Sequence, residues 1–116
     1  MLIFAAIITK FDIEEEMDLK SLEPEQLERA ANMLKAIAHP IRISILGHLE
    51  DGRKLSVTEI RGFLGIEQST TSHHLGILKD KGVLISMREG KNTFYSLKFE
   101  RISTLIECIS RCACTS

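Results

Sequence analysis

The sequence predicts a small, mainly helical α+β domain in which one β-hairpin interrupts a series of helices. Apolar residues recur at three- and four-residue spacing along most of the chain, which is typical of amphipathic helices. Between residues 83 and 97 the spacing changes to two, the period of a β-strand. A length of 116 residues suits one domain with a modest core.

Two prolines mark the starts of the first two predicted helices. Pro24 suits a first helical position because its fixed φ is already helical. The first helix is expected to end at His39, since a residue before proline avoids the helical region. The second helix restarts at Pro40 and ends in the turn formed by Asp51 and Gly52. The apolar stripe of the first helix comprises Leu27, Ala30, Ala31, Leu34, Ile37 and Ala38.

The third and fourth helices are predicted to turn sharply on each other. Ser56 and Glu59 have the spacing of a capping box, which marks the start of the third helix. Gly65 supplies a left-handed residue at its end. Only two residues separate that glycine from the next helical pattern, residues 68–81. So short a connection predicts a helix-turn-helix.

A β-hairpin and a last helix follow. Val83, Ile85 and Met87 alternate in one short strand, and residues 94–97 form the second strand after a glycine-containing turn. The helical period then returns. This order predicts a winged helix-turn-helix with a two-stranded β-hairpin wing and flanking N- and C-terminal dimerisation helices.

Charge divides the chain into segments of opposite sign, although its formal net charge is only −1. Residues 1–28 hold eight acidic and two basic side chains, whereas the remainder holds thirteen basic and eight acidic ones. The basic part permits binding to phosphates without requiring it. We expect an apolar, then acidic leader at residues 1–23, a winged-helix domain at residues 24–113, and a tail at residues 114–116.

The leader opens with eight consecutive apolar residues. This run is too short to span a bilayer, which takes about 20 residues, so no membrane association is expected. It also lacks the basic start of a signal peptide, because its first base is Lys10. Two hypotheses remain: the run packs on the body or on a partner, or it reflects a start site chosen upstream of Met17. The former is slightly favoured.

The fourth predicted helix has two contrasting faces. Thr71, Leu75 and Leu78 have the spacing of an inward face. The opposite face is small and polar, which suits close approach to base edges and phosphates. The alternative is a polar face that contacts only water. The helix residues expected to bind DNA are Gln68, Ser69, Thr70, Ser72, His73 and Gly76, and those of the wing are Arg88, Lys91 and Asn92.

Three motifs in this order resemble the ArsR-type (arsenical-resistance regulator-like) winged-helix repressors. Residues 36–46, which include Pro40 and Arg42, resemble the family's L-x-x-P-x-R-x-x-I-L opening. Residues 68–75 resemble its recognition helix, and residues 88–91 with residues 95–97 resemble its wing. Two positions depart from the pattern: Glu67 stands where a serine often caps the recognition helix, and Thr71 replaces an aliphatic residue.

The resemblance implies a homodimer that binds an inverted-repeat operator in double-stranded DNA and releases it on ligand binding or oxidation. Aliphatic stripes on the first and last helices predict the same dimer, because one small core cannot cover both. The residues expected at the dimer interface are Leu27, Leu34, Ile102, Leu105, Ile106 and Ile109.

The remaining candidates for sensing chemistry are three cysteines within the last nine residues, Cys108, Cys112 and Cys114. The family's metal site in the third helix is absent, because residues 55–64 contain no cysteine. Three thiolates could hold a soft metal or metalloid ion, or two could form a disulfide. The alternative, slightly favoured, is three inert thiols at a frayed helix end. An odd number of cysteines without a secretory signal indicates a reducing, cytoplasmic setting.

Other classes of function have less support. The adjacent histidines His73 and His74 point about 100° apart on a helix and cannot chelate one ion. His39 and His48 are expected to be structural hydrogen-bond partners. No hydrolase, zinc-protease or phosphate-loop motif occurs, which argues against an enzyme. A winged helix used only for protein–protein contact is the main alternative to a repressor.

Overall fold

A computed structural model of the chain describes residues 19–115. Within them, a 3-10 turn at Leu19–Ser21 precedes five α-helices and three β-strands. The apolar run at residues 1–8, and with it the two hypotheses about its role, lies outside the described residues. In chain order the elements are α1 Pro24–Ile37, α2 Pro40–His48, β1 Leu55–Ser56, α3 Val57–Leu64, α4 Gln68–Asp80, β2 Leu84–Glu89, β3 Asn92–Leu97 and α5 Arg101–Cys114.

The chain divides into two compact units, residues 1–30 and residues 31–116. The described part of the first unit holds the 3-10 turn and the first half of α1. There the backbone N–H of Glu23 donates to Oε1 of Gln26 at 2.9 Å, which ties the residue before Pro24 to the first helical turn. No helix within residues 19–115 combines the length and the apolar character needed to cross a membrane.

The second unit is built around one aliphatic core. Helices α2, α3 and α4, strand β2 and the turn before β2 all contribute side chains with no more than 1% of their surface exposed. Tyr95 and Leu97 of β3 pack against this core from the sheet. The largest fully buried side chains are Ile45, Leu46, Leu49, Ile60, Thr71, Leu75, Leu78, Val83 and Leu84.

The predicted helix starts and the predicted end of α3 are confirmed. Helix α1 ends at Ile37, two residues before the expected His39, and α2 ends at His48, before the expected turn. Nδ1 of His39 accepts the backbone N–H of Ile41 at 3.1 Å and caps α2, so His39 is a structural hydrogen-bond partner. Ser56 and Glu59 form the reciprocal bonds of a capping box, which satisfies two backbone donors at the start of α3. Helix α3 ends at Gly65, whose φ of 66° is left-handed.

The helix-turn-helix accommodates both departures from the family pattern. Glu67 precedes α4 in an extended conformation and makes no side-chain cap. The buried hydroxyl of Thr71 donates instead to the carbonyl oxygen of Glu67 at 2.9 Å. This bond gives a partner to the hydroxyl that threonine introduces at a buried position. It also joins the connection between α3 and α4 to the first turn of α4.

The sheet has three strands, in the order β1-β3-β2, rather than the two predicted. Residues 55 and 56 pair with Tyr95 and Phe94, so β1 extends the hairpin. The second hairpin strand begins at Asn92, because a tight turn at residues 90 and 91 pairs Asn92 with Glu89. A φ of 62° at Gly90 makes that turn possible.

The pleat of β2 differs from the predicted alternation. Val83 is buried but precedes the strand, where its backbone N–H donates to the carbonyl oxygen of Leu78 at 2.9 Å. Leu84, 1% exposed, therefore points to the core. Ile85 and Met87 are 42% and 53% exposed, so two of the three residues whose spacing predicted the strand lie on its outer side, whereas Val83 is buried.

Two residues of α5 that were expected at the dimer interface lie instead in the core of the protomer. Ile102 and Ile106 are only 6% and 3% exposed and belong to the core of their own protomer. Leu105 is half-buried against the same core, whereas Ile109 is 47% exposed. The apolar stripe of α5 is thus divided between the protomer's interior at its first two turns and a free surface beyond them.

Candidate nucleic-acid interface

Helix α4 presents the polar face that the sequence predicted. Gln68, Ser69, Thr70, Ser72 and His73 are exposed, and Gly76 is half-exposed. On the other side, Thr71, Leu75 and Leu78 are completely buried and anchor the helix in the core. The exposed face carries hydroxyl, amide and imidazole groups and no large apolar side chain, so it can approach a polar groove closely.

The wing places its predicted residues at one end of the sheet. Arg88 and Asn92 lie on β2 and β3, Lys91 lies in the turn between them, and all three are exposed. Glu89 is paired with Lys54 in a salt bridge, which neutralises the acidic group nearest the turn. The tip of the wing therefore presents basic and amide groups.

A small polar cleft joins the wing to α4. It has a volume of about 160 Å³, and its lining includes Gln68 of α4, Lys91 and Asn92 of the wing, and Thr58 of α3. The structure thus brings together residues that the sequence assigned to two separate DNA-binding elements. Thr58 is an additional polar group beside them, which the sequence did not single out, since it lies in the first turn of α3 as an ordinary exposed residue.

Sequence reasoning missed a polar cluster on the inner side of α4. His74 is 6% exposed, and its Nδ1 accepts a hydrogen bond from Nε of Arg42 at 3.1 Å. Burial lowers the pKa of His74 below its usual value, and the nearby His39, Arg42 and His73 lower it further. Arg42 was the one visible sign of this cluster in the sequence, because a charged residue on a packed helix needs a partner. The sequence does not identify that partner, since His74 lies 32 residues away.

The remaining histidines do not assemble a metal site. The rings of His73 and His74 meet edge to face at 5.8 Å between centroids. The ring of His48 stacks on Phe63, with 4.7 Å between centroids and 11° between the planes. Its described contact is therefore a ring stack, rather than the structural hydrogen bond expected from the sequence.

The three cysteines lie on α5, and all are exposed thiols. Cys108 and Cys112 are one helical turn apart, whereas Cys114 lies about 200° around the helix from Cys112. Residues 19–115 contain no group of three or more His, Cys, Asp or Glu side chains placed to hold a metal ion. The three-thiolate site considered for a soft ion is therefore not formed within one protomer.

Comparison with known proteins agrees with this architecture. A family model described as a helix-turn-helix domain matches residues 37–86. The Biofilm growth-associated repressor of Agrobacterium fabrum is 31% identical over 112 residues, which cover 93% of this chain and 95% of that protein. The structure of HlyU from Vibrio cholerae has a TM-score of 0.71 at 32% identity and covers 80% of this chain and 100% of that one.

A third similar protein carries the family name. Mb0332 from Mycobacterium bovis, a possible ArsR-family transcriptional regulator, was solved as a homodimeric winged helix-turn-helix DNA-binding domain. It has a TM-score of 0.68 and 30% identity, and the match covers 75% of this chain and 80% of that one. The present fold and its exposed α4 are those of a winged helix-turn-helix transcriptional regulator. The chain belongs to the ArsR-type family of such regulators, which are not enzymes.

Proposed function

We propose that the protein is a repressor that binds an inverted-repeat operator in double-stranded DNA as a homodimer. The observation that carries this proposal is the exposed polar face of α4, anchored from behind by Leu75 and Leu78 and joined by a polar cleft to the basic wing. A helix in the major groove needs such a face to reach base edges. In a cell without a nucleus, such as that of the related repressor's bacterium, a protein with this task works in the cytoplasm.

The dimer is supported by apolar side chains left uncovered on the first and last helices. Leu34 of α1 is 54% exposed, Leu27 is 48% exposed, and Ile109 of α5 is 47% exposed. Pairing around a two-fold axis is the commonest way to cover such surfaces. The homodimeric state of Mb0332, a possible ArsR-family regulator of similar fold, points the same way.

Selection of duplexes from a random-sequence pool tests this function. The protein, kept reduced, is incubated with the pool, and bound duplexes are amplified and sequenced over several rounds. We expect enrichment of an inverted repeat whose half-sites lie about one helical turn apart. A pool that stays random, with no salt-dependent binding to any duplex, would contradict the proposal and favour a protein–protein contact module.

The wing is expected to bind the DNA backbone rather than the bases. Lys91→Ala should weaken binding to the selected operator and to a scrambled duplex by the same factor, because a phosphate contact carries no sequence information. The slope of log affinity against log salt should fall by about one unit. Lys98→Ala, which removes an exposed lysine just beyond β3, is the matched control and should leave both quantities unchanged. A loss confined to the operator would instead place Lys91 against bases.

Release of the DNA is assigned to ligand or thiol chemistry at Cys108, Cys112 and Cys114. All three thiols are exposed on the helix that also carries Ile109, so a change there acts on the proposed dimer surface. A soft ion such as arsenite would need thiolates from both protomers, because one protomer does not assemble three of them. We expect an oxidant or arsenite to weaken operator binding, a reductant to reverse the effect of the oxidant, and a competing dithiol to reverse the effect of arsenite. The triple variant Cys108→Ser, Cys112→Ser, Cys114→Ser should bind the operator without either response, and an unchanged response in it would overturn the assignment.

A further inference from the structure

A partly buried arginine–histidine contact ties the DNA-facing helix to two other helices. Nε of Arg42, on α2, donates to Nδ1 of His74, on α4, at 3.1 Å. Nη1 of the same guanidinium donates to the carbonyl oxygen of Ala36, near the end of α1, at 3.1 Å. One side chain therefore holds α4 against α2 and against the carboxyl end of α1.

The surroundings of this contact are cationic or titratable. The His39 ring, at the start of α2, lies 4.7 Å from the His74 ring between centroids, and the His73 ring, on α4 itself, lies 5.8 Å away. Lys35 of α1 and Lys81, at the end of α4, line a pocket of about 210 Å³ together with Arg42. Among residues 19–115, no carboxylate lies within salt-bridge distance of Arg42.

The contact can exist only while His74 is neutral. A neutral imidazole offers one nitrogen as an acceptor, and here that nitrogen is Nδ1 facing Arg42. A proton on Nδ1 would place two donors and two positive charges against each other in a partly buried setting. Burial first, and then the charges of His39, Arg42 and His73, lower the pKa of His74, so the fold favours the neutral form.

We infer that Arg42 and His74 are a positioning pair that sets α4 for operator binding, and that protonation of His74 breaks the pair and weakens that binding. The inference rests on the proposed function. His74 directly follows His73 and comes two residues after Ser72, and both of those side chains are on the exposed face of α4. Any shift that relieves the repulsion between His74 and Arg42 therefore moves the backbone that carries the DNA-facing groups.

Protonation of His74 and protonation of the neighbouring His73 are expected to change operator affinity in opposite directions. A proton on the exposed His73 adds a positive charge on the DNA-facing side and strengthens attraction to phosphates. A proton on the buried His74 has the opposite effect on operator binding. For a step that requires His74 to be neutral, affinity falls by up to about tenfold for each pH unit below its pKa.

The experiment measures dissociation constants for the selected operator and for a scrambled duplex from about pH 8 to about pH 5.5, on both sides of the usual histidine pKa of about 6.5. Ionic strength is held constant. Three matched variants replace one histidine each: His74→Asn, His73→Asn and His39→Asn. Asparagine at position 74 can still accept from Arg42 but does not titrate, and asparagine at position 39 is still a good helix cap.

We expect the ratio of operator to scrambled-duplex affinity to fall on acidification in the wild type, in His73→Asn and in His39→Asn, and to stay constant in His74→Asn. A ratio that does not fall in the wild type, or that falls equally in His74→Asn, would overturn the inference. Absence of duplex binding even at pH 8 would instead contradict the proposed function.

Urea unfolding at each pH verifies that the protein is folded. Because folding lowers the pKa of His74, the stability that this residue contributes is complete above about pH 6.5 and is lost as pH falls through the folded-state pKa. If His74→Asn does not fold, Arg42→Gln provides a second test. Its amide group can donate to neutral His74, and its amide oxygen can accept from protonated His74, so protonation no longer opposes two donors or two positive charges. The fall in the affinity ratio on acidification should therefore be smaller or absent in Arg42→Gln, and a fall as large as that of the wild type would overturn the inference.

Discussion

Replacing Ser72 and His73 together by alanine is expected to abolish most of the preference for the operator over a scrambled duplex. Both side chains lie on the exposed face of α4, and neither belongs to the buried core. Removing each hydrogen bond to a base edge should cost about 1–3 kcal/mol of specific binding, whereas phosphate binding by the wing persists. Fluorescence anisotropy titrations with the two duplexes measure the difference.

The matched control for this double variant is Ser44→Ala, which removes an exposed hydroxyl from α2. It should change neither affinity. Thermal unfolding of the double variant should stay close to that of the wild type, because alanine is a strong helix former and the described contact that is lost is the edge contact of the exposed His73 ring with the His74 ring. Unchanged operator affinity in a folded double variant would mean that α4 does not contact the bases.

Ile109→Glu is expected to separate the dimer and to eliminate tight operator binding while the protomer stays folded. Ile109 is 47% exposed, so the protomer tolerates a charge there. Within a dimer seam the same charge would be buried without a partner, at a cost of several kcal/mol. Sedimentation equilibrium gives the oligomeric state, and an operator titration gives the affinity.

Two comparisons make this result specific. Ser110→Glu introduces the same charge at the next, exposed position of α5 and should leave the dimer intact. Ile106→Glu, by contrast, should unfold the protomer, because Ile106 is 3% exposed and lies in the core. A dimeric Ile109→Glu protein with wild-type operator affinity would remove α5 from the proposed interface.

The helices could be predicted from the sequence because their ends are set locally. The capping box at Ser56, the prolines at positions 24 and 40 and the left-handed Gly65 each act within a few residues of the helix end that they define. The polar face of α4 was predictable for a related reason. A helix has a fixed period, so Leu75 and Leu78 on one side assign Ser72 and His73 to the other.

Long-range contacts escaped prediction because no local pattern encodes them. Strand β1 is only two residues long and exists because β3, about 40 residues later, offers it a free edge. The contact between Arg42 and His74 likewise joins two helices whose relative placement the sequence does not state. On α5, Ile102 and Ile109 belong to one apolar stripe, so the sequence pattern treats them alike. Only the packing of the core shows that Ile102 is buried and Ile109 is exposed.

The most direct measurement of the central claim is the affinity of the wild-type protein for its selected operator after about five base pairs are inserted between the half-sites. The insertion adds half a helical turn, so the two half-sites face opposite sides of the duplex while every base that α4 contacts is retained. A rigid dimer with one α4 per half-site predicts that affinity drops toward that for a scrambled duplex, and that a further insertion of about five base pairs restores part of it. Equal affinity at all three spacings would contradict binding by two α4 helices fixed in one homodimer.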